Sequence, residues 1–304
     1  MKGGAKAGCL WRSSEAAAPG PAKADSLSGS VVVRETLCRS ILNQSSISDY
    51  SLNCYTGCTN GCVYCYARFM QRFHPHAEAW GAFVDVKVNA IETLRRQLRR
   101  ARPGGVFMCS ACDGWQPIEA ERRLTRGCCE LLLESGFSVN VLTKSELVMR
   151  DFDLFAGRKA QSHVGITLTT LDDRLSRLWE PGASSVAARC RVIAEARRAG
   201  LETGIMFAPL LPFLSDTPKS LEAMFEHAAD LGADDLWVDA LNPRPKVWSS
   251  VSDLLRREFP DLHEPCRKVL FNEAARGIYL AEVRNRVIAA AARFNLQDRI
   301  TICF

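Results

Sequence analysis

From Val106 onward the chain repeats one unit, and that repetition limits the folds open to it. Val106–Ser110 is a short apolar run. Leu124, Cys128, Leu131 and Leu132 then follow at i, i+4, i+7 and i+8, a helical stripe that Gly136 ends. Ser138–Thr143 is the next run, with a short helical segment behind it, and His163–Leu168 is another. Val186, Cys190, Ile193 and Ala194 make a helix face that ends at Gly200, before a strand at Thr203–Ala208. Leu221, Met224, Phe225 and Ala228 make a further face that ends at Gly232, before Leu236–Ala240. Strands alternating with helices imply parallel βαβ units with right-handed crossovers. With a first strand around Leu52–Tyr55 the count is six, short of the eight that close a full barrel. Beyond Leu241 come the Pro-rich NPRPKVW, helices around Glu264–Ala275 and Tyr279–Phe294, and a short strand at Ile300–Cys303 that closes one edge. The expected organisation is a tail over 1–30, an α/β partial barrel over 31–245 and a helical extension over 246–304 packed on it.

The chemistry concentrates in Leu52–Met70, LNCYTGCTNGCVYCYARFM. Four of the thirteen cysteines stand there within twelve residues: Cys54, Cys58, Cys62 and Cys65. The last three are spaced C-x3-C-x2-C. Thiolates are soft ligands that suit iron–sulfur clusters, zinc or Cu(I). Three of them on one loop can hold three irons of a cubane, whereas an electron-transfer [4Fe–4S] cluster takes four. Gly57 and Gly61 each precede a cysteine, where a tightly wound loop benefits from positive φ. The alternative is a zinc knuckle with Cys54 as fourth ligand. Zinc modules pair two short clips a dozen or more residues apart, and here there is one clump. Cys54 reads as a small buried residue.

Composition excludes several classes. Hydrophobic content of 47% and charged content of 24% are ordinary for a globular protein. No apolar run reaches 18 residues, so no membrane span is expected. The first thirty residues have no apolar signal core, carry Glu15 and Asp25, and read as a disordered tail up to about Ser30. The odd, scattered cysteines are no disulfide framework, and a reducing cytoplasm is the expected home. A net charge of +5 permits a nucleic-acid partner without requiring one. The Arg95, Arg96, Arg99, Arg100, Arg102 patch follows Val88, Ile91, Leu94 and Leu98, and reads as the solvated face of a surface helix. His74 and His76, flanking Pro75, read as an exposed turn.

C-x3-C-x2-C with Tyr64 just before the third cysteine resembles the cluster loop of the radical S-adenosylmethionine (SAM) superfamily. The longer string GCTNGCVYCYAR resembles its spore photoproduct lyase-like branch, often labelled DNA repair photolyase-like. The likeness runs from about Asn53 to the Leu210 region and implies a partial (β/α)6 barrel of radical SAM type. It implies Cys58, Cys62 and Cys65 as ligands of one [4Fe–4S] cluster, whose free iron takes the amino and carboxylate groups of SAM. Tyr64 and Tyr66, which flank Cys65, are implied on the cofactor side. Only Cys266 and Cys303 follow the barrel, so a single cluster is expected.

In parallel α/β folds ligands bind at the C-terminal strand ends. Strand two ends in CSACDGWQP, where the resemblance puts Cys112 and Asp113 near the methionine end of SAM. By turn chemistry alone, Asp113 reads equally as a cap before Gly114. Lys144, ending strand three, faces SAM in the resembled family. Thr167, ending strand four, matches a family serine that contacts SAM, although threonine is common in strands. In the resembled family adenine passes over the strand-five turn, which makes Ala208 and Pro209 candidates here. Asp239, Asn242 and Arg244 follow strand six on the substrate side, or stabilise the loop.

The implied activity is reductive SAM cleavage to a 5′-deoxyadenosyl radical that abstracts hydrogen from a substrate, nucleic acid among the candidates. The electron comes from an external reductant such as flavodoxin or ferredoxin. Authentic lyases of this family keep a hydrogen-donating cysteine three residues before the Asp of the strand-two turn. Here that position is Ser110. Strand alternation puts Cys109 on the opposite face, and Cys112 on the face of Ser110 if the strand continues. Ser110 and Cys112 are therefore the candidate catalytic positions. The expected reading is a lyase-like scaffold working on a different substrate, with a true spore photoproduct lyase or a non-catalytic iron–sulfur or zinc protein as alternatives.

Overall fold

The computed structural model describes residues 31–242 and 244–304. The expected N-terminal tail, 1–30, lies outside the described residues. Among the described residues eleven strands are found: β1 (Val32–Thr36), β2 (Leu42–Gln44), β3 (Tyr50–Leu52), β4 (Tyr55–Thr56), β5 (Phe83–Lys87), β6 (Gly105–Met108), β7 (Ser138–Thr143), β8 (Ser162–Thr167), β9 (Glu202–Leu210), β10 (Asp235–Ala240) and β11 (Ile300–Ile302). The main sheet has the order β11-β10-β9-β8-β7-β6-β3-β2. From β3 through β11 every pairing in it is parallel, and only β2 is antiparallel, on β3. The parallel series stays open, with edges at β2 and β11. This is the expected partial-barrel class.

The helices follow local rules. Ser185 caps Val186–Arg198 by accepting from Ala188 N at 3.2 Å. Thr217 caps Pro218–Leu231 in the same way, with proline at the first helical position and Gly232 left-handed at the end. One face of each strand buries its apolar side chains under these helices. Val139 and Val141, Val164 and Ile166, and Ile205 and Phe207 join one core with Leu132, Ile193 and Phe225. The alternate residues Asn140, Leu142, Met206 and Trp237 are only half-buried.

Four expectations are corrected. The first parallel strand is Tyr50–Leu52, not Leu52–Tyr55. Tyr55 and Thr56 leave for a second sheet, β1-β5-β4, pairing antiparallel with β5. That sheet was invisible because a two-residue strand carries no period. Second, NPRPKVW opens a helix, Pro245–Glu258, because proline is tolerated in a first turn. The following helices are Pro260–Phe271 and Glu273–Arg293, divided at Asn272, which accepts from Ala275 N at 2.9 Å. Third, β6 stops at Met108 and Cys109 has φ of 64°, so strand alternation does not carry on to Cys112. Fourth, His76 is not exposed. Its side chain is 2% exposed, bonded to Asp85 at 2.9 Å and stacked on Phe83 at 3.7 Å.

Candidate active site

The cysteine loop follows β4 and meets the turn after β6 through Asn60 and Asp113, and Lys144 just past β7 through Tyr64. Gly57 has φ of 85°, and a Cβ there would stand 2.5 Å from the Phe83 carbonyl oxygen, so no other residue fits. Cys58 and Cys62 are buried and Cys65 is half-buried. Burial pushes all three thiols up, Cys62 to about 12; the Asp113 carboxylate raises Cys58 further, while the Lys144 ammonium pulls Cys62 and Cys65 down. Protons must therefore leave as metal binds, and Lys144 is the nearby charge that favours thiolate.

Cys54 is separate. It is fully buried, and its thiol donates to Cys128 Sγ at 3.7 Å inside the core. Among the described residues no three His, Cys, Asp or Glu side chains converge to hold one metal ion. A zinc knuckle needs four donors around a single point, with Cys54 among them. Cys54, bonded to Cys128, is the fourth donor that such a site would have to draw away from the core. By residue type the three loop thiols are the soft donor set that a cluster held at three irons requires.

Asp113 ties this loop to the sheet. Its carboxylate accepts from Asn60 Nδ2 at 2.9 Å, Thr143 Oγ1 at 2.7 Å, Lys144 N at 2.9 Å and Trp115 N at 2.9 Å. A carboxylate offers about four acceptor positions, so the cysteine loop, its own turn and the end of β7 consume all of them. The Lys144 ammonium stands over the Tyr64 ring, 5.7 Å from its centroid. Thr167 is buried at the end of β8, and its carbonyl accepts from Arg189 Nη1 at 2.8 Å. Ala208 and Pro209 are half-buried and lie inside β9, which runs on to Leu210, rather than in a turn after it.

Ser110 and Cys112 do meet, through Asn53. Asn53 Nδ2 donates to Ser110 Oγ at 3.2 Å, and the Cys112 thiol donates to Asn53 Oδ1 at 3.8 Å. Cys109 is buried, its sulfur filling the space over Gly114, where a Cβ would meet it at 2.4 Å. The neighbouring Cys112 and burial push its thiol well up. The exposed Tyr66 donates its hydroxyl proton to the Ser110 carbonyl, and the Arg244 guanidinium lies 5.8 Å from its ring centroid. Asp239 is half-buried at the end of β10, where burial pushes its carboxyl up. Asn242 is exposed.

Sequence reasoning missed the turn Trp179–Gly182. Val63 N donates to the Trp179 carbonyl at 2.9 Å, and Gly182 N donates to the Asn60 carbonyl at 3.0 Å. Gly182 is bare because a Cβ would fall 2.1 Å from the Thr59 carbonyl oxygen. Glu180 accepts the Tyr64 hydroxyl proton and pairs with Arg189 at 2.7 Å, both side chains at 0% exposure. Locally, Pro181–Gly182 reads as a simple turn. Nothing in its own pattern says that it braces a loop 120 residues earlier. Thr169 was missed too; its hydroxyl is buried without a partner.

The family profile of the radical SAM superfamily matches residues 52–228. An uncharacterized protein of Mycobacterium tuberculosis H37Rv is 31% identical over 283 residues, 88% of this chain and 82% of its own length. A radical SAM Nalpha-GlyT isomerase of Pseudomonas phage M6 is 29% identical over 176 residues, 58% of this chain and 35% of its own. Among solved structures, spore photoproduct lyase complexed with dinucleoside spore photoproduct superposes with a TM-score of 0.67 at 16% identity, covering 90% of this chain and 82% of that one. A variant of that lyase with bound AdoMet and the same dinucleoside superposes at 0.64, also at 16% identity, covering 90% and 81%. No helix among the described residues is long and apolar enough to cross a membrane.

Proposed function

Since this chain belongs to the radical SAM superfamily, we propose that it cleaves SAM reductively at a [4Fe–4S] cluster held by Cys58, Cys62 and Cys65. The observation that carries this reading is the division of the four loop cysteines, three on the loop and Cys54 turned into the core against Cys128. The chemistry such a cluster supplies when bound is one-electron cleavage of SAM to methionine and a 5′-deoxyadenosyl radical. The protein binds, orients and keeps water out. Lys144 is the cation for the SAM carboxylate or ribose, Thr167 and the free hydroxyl of Thr169 supply polar contacts at the end of β8, and Ala208 and Pro209 offer an apolar edge for adenine. Asp113 acts one step back, by holding the loop and the Lys144 backbone. The electron comes from an external carrier of flavodoxin or ferredoxin type.

The test is anaerobic. Reconstituted protein, dithionite and SAM are expected to yield 5′-deoxyadenosine. Lys144→Ala should keep its iron and bind SAM roughly ten- to a hundredfold more weakly, the ~1.5–3 kcal/mol of one charged hydrogen bond. A reduced cluster that leaves SAM intact would remove the proposal. Unchanged SAM affinity in Lys144→Ala would remove Lys144 from it.

For substrate, a nucleobase-bearing molecule is the class proposed. The exposed Tyr66 ring beneath Arg244 offers a stacking surface with a cation beside it, suited to a base and its phosphate. The lyase whose fold this chain resembles is complexed with a dinucleoside. Ser110 argues against the same reaction, because an alcohol O–H quenches a carbon radical poorly. Reduced enzyme, SAM and synthetic spore photoproduct dinucleotide are expected to release little thymidine. Efficient release that is lost in Cys112→Ala would overturn this, by showing that the hydrogen donor had moved two residues along the turn.

A further inference from the structure

Directly after Cys65 the chain runs YARFMQRFH, residues 66–74, in which aromatic and basic side chains interleave and no acid occurs. Tyr66–Arg72 is a 3-10 helix that buries only Ala67. In such a helix, residues three apart stand above one another, about 6 Å along the axis. Tyr66, Phe69 and Arg72 therefore form one row. Phe69 meets Phe73 edge to face, with ring centroids 6.4 Å apart. Tyr66 is 44% exposed and Phe73 is 69% exposed. The turn at Phe73 is closed by its backbone, since Phe73 N and His74 N both donate to the Met70 carbonyl at 2.9 Å. The local fold thus has no need of an aromatic ring in water there. Exposed guanidiniums stand at both ends of this line. Arg244 lies 5.8 Å from the Tyr66 centroid, and Arg72 follows Phe69 in the row. At the inner end the Tyr66 hydroxyl donates to the Ser110 carbonyl, so the line begins at the candidate catalytic turn.

We propose that this line is the track for a single-stranded nucleic acid, with one base on Tyr66, the next bases stacked outward toward Phe73, and Arg244 and Arg72 on the phosphates. Ring faces accept any base, and a guanidinium grips a phosphate as a fork. The lack of acid spares a phosphate chain the repulsion it would otherwise meet. Stacking on rings requires unpaired bases, which favours a strand over a duplex. Contacts to base and phosphate do not read the sugar, so DNA and RNA are held alike. A protein partner such as the electron carrier would also favour exposed aromatics and arginines. It has no need of the Ser110 turn, where this line starts. The inference rests on the nucleobase reading of the site and extends it from one base to a strand.

The test is fluorescence anisotropy on anaerobically reconstituted protein with SAM. The probes are a labelled strand of about twelve nucleotides, as DNA and as RNA, its duplex, and nucleoside monophosphates as competitors. Both strands are expected to bind alike and more tightly than the duplex, and the monophosphates about tenfold or more weakly than the strands. Phe73→Ala should weaken strand binding roughly five- to a hundredfold, the worth of one stacked base, and leave the monophosphates unaffected. Arg72→Gln should lower the slope of log affinity against log salt by about 0.7, one phosphate contact. Both side chains are exposed, so the thermal midpoint and iron content should match the parent and show that neither variant has a folding defect. Strand affinity unmoved in both variants overturns the inference, as does equal binding of strand and monophosphate. Phe73→Ala that keeps strand affinity but slows cluster reduction by reduced flavodoxin also overturns it, and gives the surface to the electron carrier. Strand binding of the expected pattern in protein that forms no 5′-deoxyadenosine would instead overturn the proposed SAM cleavage and leave the inference standing.

Discussion

Cys58→Ala, Cys62→Ala and Cys65→Ala are each expected to lose the cluster altogether, while Cys54→Ala keeps it. Iron and sulfide content and visible absorbance after anaerobic reconstitution read the result, against about four irons for the parent chain. With three donors on the loop, removing any one leaves two, too few to hold a cubane against solvent. The fixed loop offers no replacement, because Asn60, Val63 and Tyr64 are each tied to another element. Cys112, packed beside Cys58 and Cys65, is engaged with Asn53. Cys54→Ala removes a core sulfur and its contact with Cys128, so its cost should appear in the thermal midpoint rather than in iron content. If Cys54→Ala loses iron as fully as the others, the three-plus-one division is wrong.

Asp113→Ala is expected to cost about 3 kcal/mol or more of stability and to impair cluster assembly, not merely SAM affinity. The substitution strands the Asn60 amide, the Thr143 hydroxyl and the backbone N–H groups of Trp115 and Lys144. Each buried donor left without a partner costs ~1–3 kcal/mol, with part of the sum recovered by relaxation. Asn60 belongs to the cysteine loop and Lys144 directly follows β7, so the loop would lose its register on the sheet. Asp113→Asn is no rescue, since its amide would present donors to donors. Thermal unfolding and iron content check this together. An Asp113→Ala variant with its parent's midpoint and full iron, but weaker SAM binding, would make Asp113 a direct ligand instead.

Much of the scaffold was legible because its signals are local. Leu124, Cys128 and Leu132 show a helix face by spacing alone, and the glycines at 136, 200 and 232, all at positive φ, mark where the chain turns into the next strand. The C-x3-C-x2-C loop was legible as a candidate site for the same reason, as three soft donors within eight residues. What stayed hidden was short or non-local. The two residues of β4 carry no period, and Phe83–Lys87 reads as a strand only once β1 and β4 flank it. His76 looks like a surface histidine until Asp85 and Phe83 close around it.

The site divides along the same line. By itself, the sequence determined which residue types stand at which strand ends, because a βα alternation places them there whatever the packing. Tertiary structure alone decided what each of them does. Asp113 could have faced a ligand or capped its turn; four donors from three segments of the chain occupy its carboxylate. Cys54 and Cys58 differ by four positions and are the same residue, and only the approach of Cys128 separates a core thiol from a loop donor. Glu180 carried no signal at all. Its burial, its pairing with Arg189 and its hold on Tyr64 depend on contacts spanning nine and 116 residues, and the desolvation that gives them force exists only once the chain has closed around them.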